Sequence, residues 1–109
     1  MNRHGLGRAG EMLAAEYVAG LGYEVIGRNV RCRRGEIDLV CRRGEEVVLV
    51  EVKTRSGDSH GVPVEAIDAH KVRALVGCVA EYRAISGWRG VISFDVVTIS
   101  VGLIRDVVG

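Results

Sequence analysis

Two apolar runs joined by a glycine turn constrain the fold of this chain more than any other feature. They are Gly35-Glu36-Ile37-Asp38-Leu39-Val40 and Val47-Val48-Leu49-Val50-Glu51-Val52-Lys53-Thr54, with Arg42-Arg43-Gly44-Glu45-Glu46 between them. Read with period 2, the second run places Val47, Leu49, Glu51 and Lys53 on one face and Val48, Val50 and Val52 on the other, as in a strand covered on both sides. In the first run Glu36, Asp38 and Val40 share one face, and Ile37, Leu39 and Cys41 share the opposite one. Gly44 as the first residue of a two-residue loop suits a type II′ turn, which needs positive φ there. That register sets Arg43 opposite Glu46, Asp38 opposite Glu51 and Glu36 opposite Lys53. A four-residue loop preserves it, whereas a three-residue loop shifts the pairing by one and separates the acids across the sheet.

Directly opposed residues have Cβ atoms about 4.5 to 5.5 Å apart, so Asp38 and Glu51 repel unless a cation joins them. Charges inside an apolar strand are costly without compensation. One compensation is a structural ion pair of Glu51 with Lys53 or an arginine; the other is a divalent ion shared by the two acids. The ion pair leaves Asp38 facing Glu51 without a cation of its own, and the metal answers that better. Mg²⁺ takes one or two carboxylates plus waters and phosphate oxygens, and a neighbouring lysine orients a nucleophilic water or stabilises transition-state charge. Such a group suits phosphodiester hydrolysis.

The rest of the chain bounds this reading. Its 109 residues predict one domain over 1–109. A 48% hydrophobic and 27% charged composition fits a soluble globular protein, and every apolar run is shorter than a membrane span. Met1 to Arg8 contains basic residues with no apolar segment behind them, which predicts no secretory signal and a cytoplasmic protein. Cys32, Cys41 and Cys78 are odd in number, widely spaced and without a C-x-x-C pair, so they read as reduced structural thiols. The net charge of +1 hides a cluster, Arg28, Arg31, Arg33, Arg34, Arg42 and Arg43, around the hairpin. Arginines beside paired carboxylates fit a polyanion held over a metal, although such a cluster alone also describes a solvated face.

A first helix is predicted from about Arg8 to Leu21, with Leu13, Tyr17 and Leu21 as an apolar stripe extended by Ala14, Ala15 and Val18. Glu11 lies at the edge of that stripe, where it either complements the helix dipole or faces a site. Tyr23 to Val30 reads as a strand weakened by Gly27, and Arg31 to Gly35 as a turn. A polar loop follows from Arg55 to Val64. A second helix runs from Pro63 or Glu65 to Ile85, burying Ile67, Leu75, Val79 and Tyr82 and leaving Lys71, Arg73 and Arg83 nearer solvent or ligand. Asp68 and His70 share this stretch with Lys71, and read either as a local acid/base group or, more simply, as a solvated helix face. Val91 to Ile99 is a strand, and Leu103 to Val108 a short final one. The expected fold class is α/β, in the order α-β-β-β-α-β-(β), with helices on both faces of a mixed sheet.

Glu11, Asp38 and the Glu51-x-Lys53 triplet resemble the PD-(D/E)XK nuclease pattern. Gly10-Glu11, Gly22-Tyr23, Arg28-Asn29, Gly35-Glu36-Ile37-Asp38-Leu39, Val50-Glu51-Val52-Lys53-Thr54-Arg55, Lys71 and Phe94-Asp95-Val96-Val97 together resemble the YraN-like family of small bacterial proteins. That resemblance implies a restriction-endonuclease-like fold, similar to Holliday junction resolvases, and a Mg²⁺- or Mn²⁺-dependent endonuclease site. It implies that Asp38, Glu51 and the Val52 carbonyl hold the metal, that Lys53 assists the attacking water and that Glu11 completes the site. The superfamily's proline is replaced by Ile37. The expected partner is nucleic acid, DNA rather than RNA, met by Arg31, Arg33, Arg34, Arg42, Arg43, Arg55 and Lys71. A homodimer suits a branched substrate. The competing reading is a catalytically weak or inactive nucleic-acid-binding module of the same fold that acts with a protein partner.

Overall fold

The computed structural model describes residues 3–33, 35–56 and 69–109. Its elements follow as α1 (Arg3–Gly20), β1 (Glu24–Cys32), β2 (Gly35–Arg43), β3 (Glu46–Ser56), α2 (Ala69–Ser86) and β4 (Val91–Val101). The strands form one sheet in the order β1-β2-β3-β4, in which β2 is antiparallel to β1 and β3 while β4 runs parallel to β3. The fold is α/β with a mixed sheet, in the expected element order.

The hairpin register follows from its turn. Arg43 pairs with Glu46 across the two-residue loop Gly44-Glu45, and Gly44 takes φ 60°. Apolar side chains then fill both faces of the central strands. Leu39, Cys41, Val48 and Val50 meet Ala14, Ala15 and Val18 of α1, and Val40, Val47 and Leu49 meet Cys78 of α2 together with Ile37.

Several expectations are corrected here. The face that α1 buries is its small-residue face, Ala14, Ala15 and Val18, while Leu13, Tyr17 and Leu21 are more than half exposed. The reason is close approach: a Cβ on Gly10 would lie 2.0 Å from Thr54 Oγ1, so small residues let the helix lie directly on the sheet. The helix also starts at Arg3, before the expected Arg8. Glu11 therefore sits two turns inside it, too far from the amino terminus to complement the dipole.

Ile37 does not share a face with Leu39 and Cys41; it joins the α2-side cluster, so the alternation slips at Asp38. Opposite the slip, the pairing passes from Arg28↔Leu39 to Val30↔Ile37 around Asn29, whose φ of 50° is left-handed. A second irregularity lies between Val25 and Gly27, where β1 bulges.

Arg55 belongs to β3 rather than to the following loop, because the parallel pairing with β4 continues as far as Ser56↔Val101. No strand forms over Leu103–Val108. Leu103, Ile104, Val107 and Val108 are at least three-quarters exposed and Asp106 turns the backbone at φ 51°. β strength in sequence is not enough where no neighbouring strand offers a ladder.

Cys32 and Cys78 are joined in a disulfide, Cα–Cα 5.6 Å, and only Cys41 is free among the described residues. Their sequence separation is 46, and it is the packing of α2 over β1 and β2 that brings them together. The rest of the expected 57–64 loop, the start of the second helix, Ile67 and Asp68 lie outside the described residues, as do the side chains of His70 and Lys71. No described helix is long and apolar enough to cross a membrane.

Candidate functional site

The two strands of the hairpin stay paired only part of the way. Their ladder runs from Arg43↔Glu46 to Leu39↔Val50 and stops. Beyond that point β2 remains paired to β1, through Val30↔Ile37, Arg31↔Glu36 and Cys32↔Gly35, while β3 remains paired to β4. The sheet forks between Asp38 and Glu51, the next step of the same register. Val52 N, just past the last β2–β3 pair, donates to Asp38 Oδ2 at 2.7 Å, so a side-chain carboxylate takes the place of a strand carbonyl. The Asp38 carboxylate is thereby fixed on the middle residue of the Glu51-Val52-Lys53 triplet.

The acids are half-buried rather than core residues, and among the described residues no charged side chain is fully buried. The expected cost of burial is thus reduced because the aliphatic core ends where the fork opens. Lys53 Nζ lies 3.4 Å from Glu51 Oε1. Val52, between them, packs on the α1-side cluster.

Asp38 opens to the α1 side, and there it shares a cavity of about 210 Å³ with Glu11, Arg8, Arg28 and Asn29. The slip of alternation at Asn29 and Asp38 accounts for this placement. With its amide nitrogen turned toward them, Asn29 donates to Glu11 Oε1 and Glu36 Oε1, 3.1 Å each. Glu36 therefore looks across β1 rather than toward Lys53 as the continued ladder predicted; its strand partner is Arg31. Two linked pairs result, Glu11 with Asp38 around the cavity and Glu51 with Lys53 on β3, joined through the Asp38–Val52 hydrogen bond.

The arginines divide. Arg31 and Arg33 lie at the fork end of the sheet, Arg31 in β1 and Arg33 in the turn to β2, where Arg33 N donates to Glu81 Oε2 at 2.9 Å. Arg42 and Arg43 lie at the other end of β2, about 16 Å away along the strand, and are occupied. Arg42 stacks over Trp88 at 4.7 Å and donates to the Gly44 carbonyl. Arg43 pairs with Glu46, stacks over Tyr23 and donates to its hydroxyl. Their expected place beside the carboxylates is corrected: the hairpin carries them to its tip. Arg55 is half-buried near the end of β3. Arg34 and the Lys71 side chain lie outside the described residues.

Arg8 and Asn29 are site neighbours that sequence reasoning did not place there, while Arg28 is the member of the arginine cluster that lines the cavity. Arg8 is three residues before Glu11 on one helix face, and Arg28-Asn29 precedes the acidic run, but only the fork brings them together. For a metal, the donor set is two carboxylates and the Val52 carbonyl, all hard oxygens of the kind Mg²⁺ takes alongside water. Among the described residues no group of three or more His, Cys, Asp or Glu side chains converges.

Comparison with known proteins places the chain. The profile of the uncharacterised protein family UPF0102 matches residues 10–99, which include Glu11, Asp38, Glu51 and Lys53. A UPF0102 protein of Anaeromyxobacter dehalogenans is 43% identical over 101 residues, covering 92% of this chain and 75% of that protein. One from Symbiobacterium thermophilum is 49% identical over 82 residues, covering 75% and 70%. One from Moorella thermoacetica is 42% identical over 100 residues, covering 91% and 83%. The chain belongs to the UPF0102, YraN-like, family.

Proposed function

We propose that the fork is the active centre of a divalent-metal-dependent endonuclease of the PD-(D/E)XK type, hydrolysing DNA phosphodiester bonds, with branched or otherwise non-standard DNA as substrate. The observation that carries this reading is the hydrogen bond from Val52 N to Asp38 Oδ2, which fixes one acid on the middle of a Glu-x-Lys triplet. Asp38, Glu51 and the Val52 carbonyl would hold Mg²⁺ or Mn²⁺. When bound, such an ion lowers the pKa of a coordinated water and offsets charge on the phosphoryl oxygens.

The protein's own groups have separate tasks. Lys53, beside Glu51, orients the attacking water and offsets negative charge as the water oxygen bonds to phosphorus and the phosphorus–sugar oxygen bond breaks. Glu11, held by Asn29, faces the same cavity as Asp38 and completes the site. Arg31 and Arg33 at the fork end attract the DNA backbone. Because branched DNA presents two strands, a symmetric dimer would supply two such sites.

The test is cleavage of duplex, single-stranded and four-way-junction DNA by purified protein with Mg²⁺ or Mn²⁺. Cutting by the wild type, abolished in Asp38→Ala and in Lys53→Ala, supports the reading; three uncut substrates with both ions overturn it. One observation favours a second reading, a DNA-binding module without chemistry: Lys53 already compensates Glu51 in an ion pair. That module would bind DNA equally well with Asp38→Ala.

A further inference from the structure

The cavity beside Asp38 carries two cations to which the hydrolytic scheme gives no role. Arg8 comes from α1 and Arg28 from β1, and both line the space into which Glu11 and Asp38 open. Neither enters an ion pair among the described residues, where the pairs are Arg43–Glu46 and Lys53–Glu51. This is the informative contrast with the hairpin tip. The two acids are oriented by other groups, Glu11 by the Asn29 amide and Asp38 by Val52 N. The guanidinium groups are thus exposed beside carboxylates without being consumed by them.

We propose that Arg8 and Arg28 form a phosphate clamp, gripping the backbone phosphate of the DNA strand laid across the Asp38 cavity; this rests on the nuclease reading. Two guanidinium groups and two carboxylates leave the cavity formally neutral, and a divalent ion held at Asp38 would give it a surplus of two positive charges. A phosphodiester carries one negative charge and non-bridging oxygens that a guanidinium fork meets with parallel hydrogen bonds. The cavity, about 210 Å³, far exceeds the roughly 10–15 Å³ that a single water needs. Because one arginine stands on the helix and the other on the strand, the clamp spans the α1–β1 junction. It would set the phosphate against Glu11 and Asp38 rather than merely attract DNA to the surface.

The experiment uses the full chain, a fluorescein-labelled four-way junction, and the Arg8→Ala/Arg28→Ala double variant. Binding is followed by anisotropy without divalent ions over a range of salt, and cleavage is followed with Mn²⁺. The clamp predicts KM raised roughly tenfold with kcat nearly unchanged, and a slope of log K against log salt smaller by about 1 to 2. Arg8→Lys/Arg28→Lys should keep the slope and recover part of the affinity, and circular dichroism should match the wild type for both. If the wild type cuts and the alanine variant shows the same KM and salt slope, the clamp is wrong and the nuclease reading stands. A loss of kcat at constant KM also overturns the clamp. If the wild type neither binds nor cuts, the nuclease reading fails and the clamp fails with it.

Discussion

The β2–β3 hairpin is closed at one end and forked at the other, and its charged residues behave differently at the two. At the tip, Arg43, Glu46, Tyr23 and Asp95 form a connected set: Tyr23 Oη donates to Asp95 Oδ2 at 2.5 Å, Arg43 donates to the Tyr23 hydroxyl, and Ser93 donates to Glu46. These contacts tie β2 and β3 at the tip to β4 and to Tyr23, the residue just before β1. At the fork, the strands part before the acids can pair by backbone, and a backbone amide, Val52 N, donates to the Asp38 carboxylate. Saturated charges point to structure; charges gathered at a break in a ladder, beside a cavity, point to a ligand.

Removing charge from each end in turn, and reading both activity and stability, separates the two. Asp38→Asn keeps an oxygen to accept from Val52 N but loses the charge. Cleavage should fall roughly a thousandfold while stability changes by less than about 1 kcal/mol. Arg43→Ala should leave cleavage intact and lower stability only slightly, as loss of an exposed pair does. DNA cleavage assays paired with urea melts measure both, and equal activity losses at the two ends would erase the distinction.

The disulfide comes next. Cys32→Ser with Cys78→Ser opens a loop closed over a sequence separation of 46, worth about 4 kcal/mol on loop entropy. Since the bridge ties the β1 end at the fork to α2, reductant should lower the urea midpoint of the wild type and leave the double variant unchanged. Gly10→Ala is the third. Its new Cβ would meet Thr54 Oγ1, so α1 must lift by a fraction of its contact distance, at about 1–3 kcal/mol, and carry Glu11 with it. Thr54→Ala in the same chain should restore both stability and cleavage.

The smallest effect is at the tip and depends on pH. The hydrogen bond to Asp95, then burial, hold the Tyr23 phenol above its ordinary 10.0. A raised folded value favours the protonated phenol, so its contribution is whole below pH 10 and is lost as pH rises through the folded value. Tyr23→Phe should therefore cost stability at neutral pH and flatten the alkaline decline, as urea melts from pH 8 to 11 would register.

Much of this was legible in the residues, for reasons that also explain the rest. Gly44 and the period-2 runs specify a hairpin register, and the structure has it from Arg43↔Glu46 to Leu39↔Val50. What period 2 cannot carry is its own interruption. Asn29 at positive φ and the end of the ladder at Leu39 turn Asp38 toward α1 and Glu36 toward Asn29. The stripe Leu13-Tyr17-Leu21 fits helical spacing, but close packing through Gly10 selects the alanine face instead. Cys32 and Cys78 meet only through tertiary packing, which spacing does not encode. Arg42 and Arg43 adjoin the acidic runs in sequence and lie at the opposite end of the hairpin in space, because a strand converts five residues into about 16 Å.

The proposed chemistry requires the fork to hold a divalent ion between Asp38 and Glu51. Crystals of the protein soaked with Mn²⁺ and measured at the manganese absorption edge test it directly. One anomalous peak per chain is expected, between the Asp38 and Glu51 carboxylates and beside the Val52 carbonyl, absent in Asp38→Ala crystals treated alike. A wild-type fork without a peak, with Lys53 still bridging Glu51 at full manganese saturation, would contradict it.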